Sequence, residues 1–182
     1  MCRQACHIRR HTMLSLADMY IISLLSNTFS LKSFPSPKFF PLCTGRTSAT
    51  QFPATPEEVF RRICAQLQQE EIVDEDFCLS VNQREQIVST LLGEGIALPH
   101  SLGLQARQSV VYTVLAPGGI PWGEERAYVI FLLAISKAEY QATMGIYDIF
   151  VELMQSRAAL QLKNCPTFPV FIDTALEFLQ QS

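Results

Sequence analysis

The sequence predicts an α/β protein in which a small mixed β-sheet is sandwiched by helices. Three observations predict it. Apolar residues recur at helical spacing before residue 92 and again after residue 137. Between those stretches stand two β-rich runs, 109–116 (SVVYTVLA) and 127–134 (AYVIFLLA). The second run is apolar almost throughout, as expected of an interior strand buried on both faces. Helix, helix, strand, strand, helix in that order indicates helical layers packed on a sheet.

Composition bounds the rest. Of 182 residues, 48% are hydrophobic and 17% charged, with a formal net charge of −3. That suits one globular domain with an appendage. The slight acidity leaves no basic footprint, so no direct nucleic-acid contact is expected. The six cysteines, at 2, 6, 43, 64, 78 and 165, form no C-x-x-C pair. A reducing, cytoplasmic setting is expected rather than a disulfide scaffold. Cys64 and Cys78 fall in apolar helical patterns and are expected as buried thiols.

Residues 1–33 are left unassigned. The first eleven are basic, with Arg3, Arg9 and Arg10. Cys2, Cys6, His7 and His11 are metal-ligand types, but their pairs interleave without zinc-site separation, so no metal is expected. Residues 13–31 are apolar, yet Asp18 and Asn27 interrupt them and no small-residue cleavage site is clear. No membrane insertion is expected. Residues 34–56 carry Pro35, Pro37, Pro41, Pro53 and Pro56 and read as an extended linker. Its aromatics Phe34, Phe39, Phe40 and Phe52 imply that it packs on something.

The domain proper is expected over 57–182. Thr55 can N-cap its first helix, Pro56 suits the first helical position, and Glu57 and Glu58 favour the positive dipole end. Val59, Phe60, Ile63, Cys64 and Leu67 form the buried stripe. Asp74, Glu75 and Asp76 start a second helical segment rather than a metal site. A helix is then expected from Arg84 to about Leu92, with Ile87, Val88, Leu91 and Leu92 as its stripe and Gly93 ending it at positive φ. Gly95-Ile-Ala-Leu-Pro99 follows as an extended piece. Pro99 stiffens the backbone that presents His100. Residues 117–123 (PGGIPWG) read as a turn-rich connection, with Trp122 a lid over the core. A helix from about Lys137 to Ser156 is expected to bury Met144, Ile146, Ile149, Phe150, Leu153 and Met154. Residues 168–179 form a final strand or turn and helix.

His100 is the candidate for chemistry. A neutral imidazole is a competent nucleophile near neutral pH. Phosphoryl transfer asks for such a nucleophile, in line, with cationic or hydrogen-bonding groups around the phosphoryl oxygens. Arg84 offers a permanent, bidentate cation. Ser89 and Thr90 offer hydroxyls, and backbone N–H groups near Gly93 and Gly95 can form an anion nest.

The segment REQIVSTLLGEGIALPH, residues 84–100, resembles the active-site signature of the IIA type-2 (mannitol/fructose class) domains of the bacterial phosphoenolpyruvate-dependent sugar phosphotransferase system. The matching positions are Arg84, Glu85, Ser89, Thr90, Gly93, Gly95, Ile96, Ala97, Pro99 and His100. The resemblance covers roughly residue 56 to the C-terminus and implies a IIA type-2-like fold. It implies that His100 accepts a phosphoryl group from the phosphocarrier HPr, with no cofactor, as a phosphohistidine phosphotransfer component. The onward partner it implies is a sugar-specific IIB domain or the domains of a regulator. In one subclass a linker precedes a IIA-like domain at the C-terminus of a PRD-containing sugar-operon transcription regulator. The chain is similar to the tail of such a regulator, although no PRD, IIB-like or helix-turn-helix pattern is visible in it.

One departure stands out. Many transport IIA domains carry a second histidine after the buried strand. Residues 135–144 contain none here, and Tyr140 or Gln141 takes the place. Neither is an imidazole acid or base. Residues 146–150 (IYDIF) are also more similar to the regulator-associated domains. Three readings follow: phosphoryl carrier, phosphorylation-sensing regulatory module, or folded but inactive remnant. For either active role the expected docking surface is an apolar rim around His100 that includes Leu98 and Leu102.

Overall fold

Strand β5 (Glu125–Ser136) is the axis of the molecule, because residues 129–136 are all buried. The computed structural model describes residues 38–40 and 53–180. The Cys2, Cys6, His7 and His11 set, the apolar stretch 13–31 and most of the proline-rich segment lie outside the described residues.

Side chains alternate across β5 with the period of two that a strand imposes. Ile130, Leu132 and Ala134 face one core. Val129, Phe131, Leu133 and Ile135 face the other. The first core is closed by helices α1 (Pro56–Gln69) and α2 (Asp76–Ile87), through Phe60, Ile63, Leu67, Phe77 and Val81. The second is closed by α4 (Ile146–Gln155), α5 (Ala159–Leu162) and α6 (Phe168–Leu179), through Phe150, Leu153, Leu162 and Phe171. Each fully buried Phe or Leu contributes about 1.5–3 kcal/mol. Helices therefore cover both faces of one sheet, the α/β sandwich the element order implied.

The sheet is mixed, in the order β1-β4-β5-β3-β2. Strand β4 (Gln105–Trp122) runs antiparallel to β5. β1 (Lys38–Phe40), within the proline-rich segment, pairs parallel with β4 from Tyr112 to Val114. On the other side β3 (Ile96–Ala97) lies parallel to β5 and forms a hairpin with β2 (Leu91–Gly93).

Helix α1 begins as expected, with the Thr55 hydroxyl accepting from the Glu58 N–H at 3.4 Å. Several expectations fail. The helix expected over Arg84–Leu92 ends at Ile87, and Leu91 and Leu92 belong to β2. Ile87 and Val88, 66% and 62% exposed, form no buried stripe. Gly93 is not a helix terminator. At φ +118 it enters a hairpin turn completed by Glu94 at φ +47 and Gly95 at φ +84. Residues 117–122 do not leave the sheet: β4 continues to Trp122. Between the pairs Leu115–Val129 and Ile120–Ala127 it bulges, and the Arg126 guanidinium donates to the Gly118 and Gly119 carbonyls. Residues 137–156 are not one helix. A 3₁₀ turn (Lys137–Glu139), a short α3 (Tyr140–Thr143) and α4 follow in turn. The Glu139 carboxylate accepts from the Ser109 N–H at 2.6 Å, tying the first turn to β4, and the Thr143 hydroxyl takes the Glu139 carbonyl at 2.7 Å. Residues 168–179 are wholly helical, capped by the Thr167 hydroxyl. Cys64 is buried, and burial together with its contact to Cys78 pushes its thiol up; Cys78 is only half-buried.

Two predictions follow from this packing. A Cβ on Gly95 would stand 2.5 Å from Cδ2 of Tyr128, at a φ that L residues resist. Gly123, at φ +65, has nothing within 4 Å. Chemical denaturation should show Gly95→Ala losing about 2–4 kcal/mol, against about 1 for Gly123→Ala; equal losses would remove the Tyr128 contact as the cause. Burial also pushes the Tyr112 phenol from 10.0 to about 12. The unfolded chain releases that proton first, so this contribution is complete below pH 10.0 and is lost as pH rises towards about 12. Melting temperature measured against pH should therefore fall less steeply above pH 10 in Tyr112→Phe than in the native chain.

Candidate functional site

His100 is delivered to the surface by backbone pairing with β5. The Gly95 carbonyl accepts from the Tyr128 and Val129 N–H groups at 2.7 and 3.0 Å. Ile96 and Ala97 pair with Val129 and Ile130. The Pro99 carbonyl accepts from the Leu133 N–H at 2.8 Å, and His100 forms a parallel bridge with Leu133. The run from Gly95 to Pro99 is buried, and His100 emerges half-buried at its end.

Arg84 reaches His100 from the last turn of α2. Its Nε–H donates to His100 Nε2 at 3.1 Å, and its Nη1 donates to the Val88 carbonyl at 2.7 Å. The other ring nitrogen, Nδ1, lies 2.8 Å from the Leu98 carbonyl. These partners assign the tautomer. A carbonyl only accepts, so Nδ1 carries the proton. A guanidinium only donates, so Nε2 presents its lone pair. The nitrogen facing Arg84 is thus the unprotonated one.

The structure places the other expected site residues differently. Ser89 is exposed, and its hydroxyl accepts from the Leu91 N–H at 3.2 Å. Thr90 is 4% exposed, and its hydroxyl donates to Glu85. Gly95 is buried against the Tyr128 ring. Arg84 and His100 are brought into contact, whereas Ser89 and Thr90 spend their hydroxyls on the local backbone and on Glu85. Leu98 does not belong to an apolar rim. It is 3% exposed and part of the second core, because β3 lays it against β5; Leu102, 51% exposed, does face solvent. Ile87 and Val88 add exposed apolar surface at the end of α2.

Two groups escaped the sequence reading. The Glu85 carboxylate accepts from the Thr90 N–H at 3.0 Å and from the Trp122 indole N–H at 2.7 Å. Glu85 stands beside Arg84 in the signature, which was its only signal. Trp122 is buried as expected, edge-on to Phe60 at 5.6 Å. Tyr147 on α4 is the other. Burial pushes its phenol above 10.0, Tyr140 adds to the rise, and Arg84 opposes it. Its spacing of seven from Tyr140 is close to two helical turns, but a tyrosine in an amphipathic pattern reads first as core.

The fold matches solved IIA structures. Mannitol IIA from Escherichia coli superimposes with a TM-score of 0.58 at 21% identity, over 69% of this chain and 92% of that one. The IIA component in a complex of the mannitol IIA and phosphorylated IIB enzymes of Escherichia coli gives 0.55 at 22% identity, over 72% and 92%. Among curated proteins, the multiphosphoryl transfer protein of Escherichia coli O157:H7 is 34% identical over 116 residues, 61% of this chain and 30% of that protein. The transcriptional regulator ManR of Bacillus subtilis (strain 168) is 27% identical over 89 residues, 49% of this chain. The match spans 14% of that regulator, so each curated relative is much longer than the stretch it shares. The family model for the phosphoenolpyruvate-dependent sugar phosphotransferase system, EIIA 2, matches residues 49–173. That match takes in well over half of the chain, and with the IIA fold and the signature around His100 it makes the protein a member of the EIIA 2 family.

Proposed function

We propose that His100 is the phosphoacceptor, taking a phosphoryl group on Nε2 from the phosphocarrier HPr. The observation that carries this is the pair of bonds to its imidazole: Nδ1–H to the Leu98 carbonyl and Arg84 Nε–H to Nε2. The ring is held in one tautomer with its nucleophilic nitrogen beside a permanent cation. In the transfer, the Nε2 lone pair forms the new bond to phosphorus, and the bond from phosphorus to the donor breaks with its electron pair staying on the donor. Nδ1 keeps its proton, and the Leu98 carbonyl stabilises the positive charge that develops on the ring. Arg84 moves from Nε2 to the phosphoryl oxygens, where charge is greatest.

In this reading the phosphotransfer unit spans 57–182, and 34–56 leads into it, with Lys38–Phe40 adding a strand to the edge of its sheet and Pro56 opening its first helix. The protein works in the cytoplasm, where its donor is. Among the described residues no helix is long and apolar enough to cross a membrane. The exposed Ile87, Val88 and Leu102 form the docking rim for HPr and for a IIB domain.

A second reading is favoured by one observation. Tyr147 lies within electrostatic reach of Arg84 and of Tyr140, Tyr140 or Gln141 stands where transport domains carry a second histidine, and a phenol cannot act as an acid and base at neutral pH. Phosphorylation of His100 would then serve as a signal to regulator domains, adding roughly 1.5–2 negative charges to a docking surface.

Incubation with phosphoenolpyruvate, enzyme I and HPr should add one acid-labile phosphate by intact mass, and none to His100→Ala. Arg84→Ala should slow the transfer about 100-fold, and Arg84→Lys less. Absence of label on the folded native chain would leave only the inactive-remnant reading. Passage of the label to a IIB domain would identify a carrier, and its retention a sensor.

A further inference from the structure

We propose that Glu85 is a positioning residue for His100, with Trp122 as its anchor. The proposal rests on His100 being the phosphoacceptor. The Glu85 carboxylate accepts three donors: the Thr90 N–H, the Thr90 hydroxyl and the Trp122 indole N–H. Trp122 is 3% exposed and wedged against Phe60 in the first core, so it is a fixed point. Thr90 passes the constraint on. Its carbonyl accepts from the Leu98 N–H at 2.9 Å, and the Leu98 carbonyl accepts from His100 Nδ1–H at 2.8 Å. Hydrogen bonds alternating with the backbone of Thr90 and Leu98 thus join the end of β4 to the imidazole, and Glu85 is the member of that run that carries charge. The constraint is positional: the carboxylate fixes Thr90, Thr90 fixes Leu98, and the Leu98 carbonyl so placed holds the proton on Nδ1.

The same arrangement isolates Arg84. Consecutive helical residues point to different sides. Glu85 spends its oxygens on Thr90 and Trp122, and among the described residues Arg84 makes no ion pair. A carboxylate next in sequence to the cation is therefore kept from neutralising it. Its positive charge is thus left unneutralised by a carboxylate among the described residues, although its N–H groups serve His100 and Val88.

The test is Glu85→Gln, which keeps the size but turns an amide NH₂ towards the Thr90 donors. ¹⁵N–¹H correlation of the imidazole should show the Nδ1–H tautomer alone in the native chain and a mixture in the variant. The single-turnover rate with phospho-HPr should fall about 10- to 100-fold. Trp122→Phe keeps the ring on Phe60 but removes the indole donor. It should move both readouts in the same direction by less, and it decides the matter if Glu85→Gln does not fold. A folded variant with native tautomer and native rate would overturn the proposal. If the native chain takes no phosphate, the reading of His100 as acceptor fails. The tautomer measurement still decides whether Glu85 orients the ring.

Discussion

The backbone bonds that dock residues 95–100 against β5 are the constraint on which the rest of the site depends. β5 is buried on both faces, so its register is fixed twice over: a one-residue slip would turn both cores inside out. β3 inherits that register through Ile96 and Ala97. His100 inherits it through the Pro99 carbonyl. The imidazole is therefore placed by a strand buried on both faces, although it is itself only half-buried. Arg84 arrives from a different layer, the helices that cover the first core. The site is where the sheet and that layer meet, and only their mutual packing sets the 3.1 Å between guanidinium and ring.

What the sequence revealed follows the same division. β5 was legible because burial on both faces leaves an apolar run that solvent-facing structure does not produce. The start of α1 was legible because Thr55 and Pro56 act locally, within one turn. The segment after Arg84 was misread because Ile87, Val88, Leu91 and Leu92 satisfy a helical period as well as they satisfy a turn and a strand. Burial decides between those readings, and Ile87 and Val88 prove to be exposed. The glycines and prolines of 117–121 signalled a turn. The sheet absorbs them as a bulge because Arg126 satisfies the carbonyls that the ladder leaves open.

Within the site, Arg84 and His100 were legible as candidates because the signature holds both, and the structure brings them into contact. Their support was not. Glu85 and Trp122 are 37 residues apart and meet only after α2 and the end of β4 have packed on Phe60. Leu98 acts through its carbonyl, and no residue type advertises a backbone group. Thr90 looked like a phosphate ligand because hydroxyls are versatile, yet the fold assigns it an inward bond. Long-range polar pairing and main-chain partners are the two things residue identity cannot convey.

The guanidinium of Arg84 serves two acceptors at once, Nε2 of His100 and the carbonyl of Val88, the residue that closes α2. A helix's final carbonyls lack partners of their own. An anion on the ring would compete with that carbonyl for the same guanidinium. Arg84 thereby ties the imidazole to the end of a helix whose closing two side chains, Ile87 and Val88, lie open to solvent. A protein docked on those two side chains would bear on the same helix end that Arg84 ties to the ring.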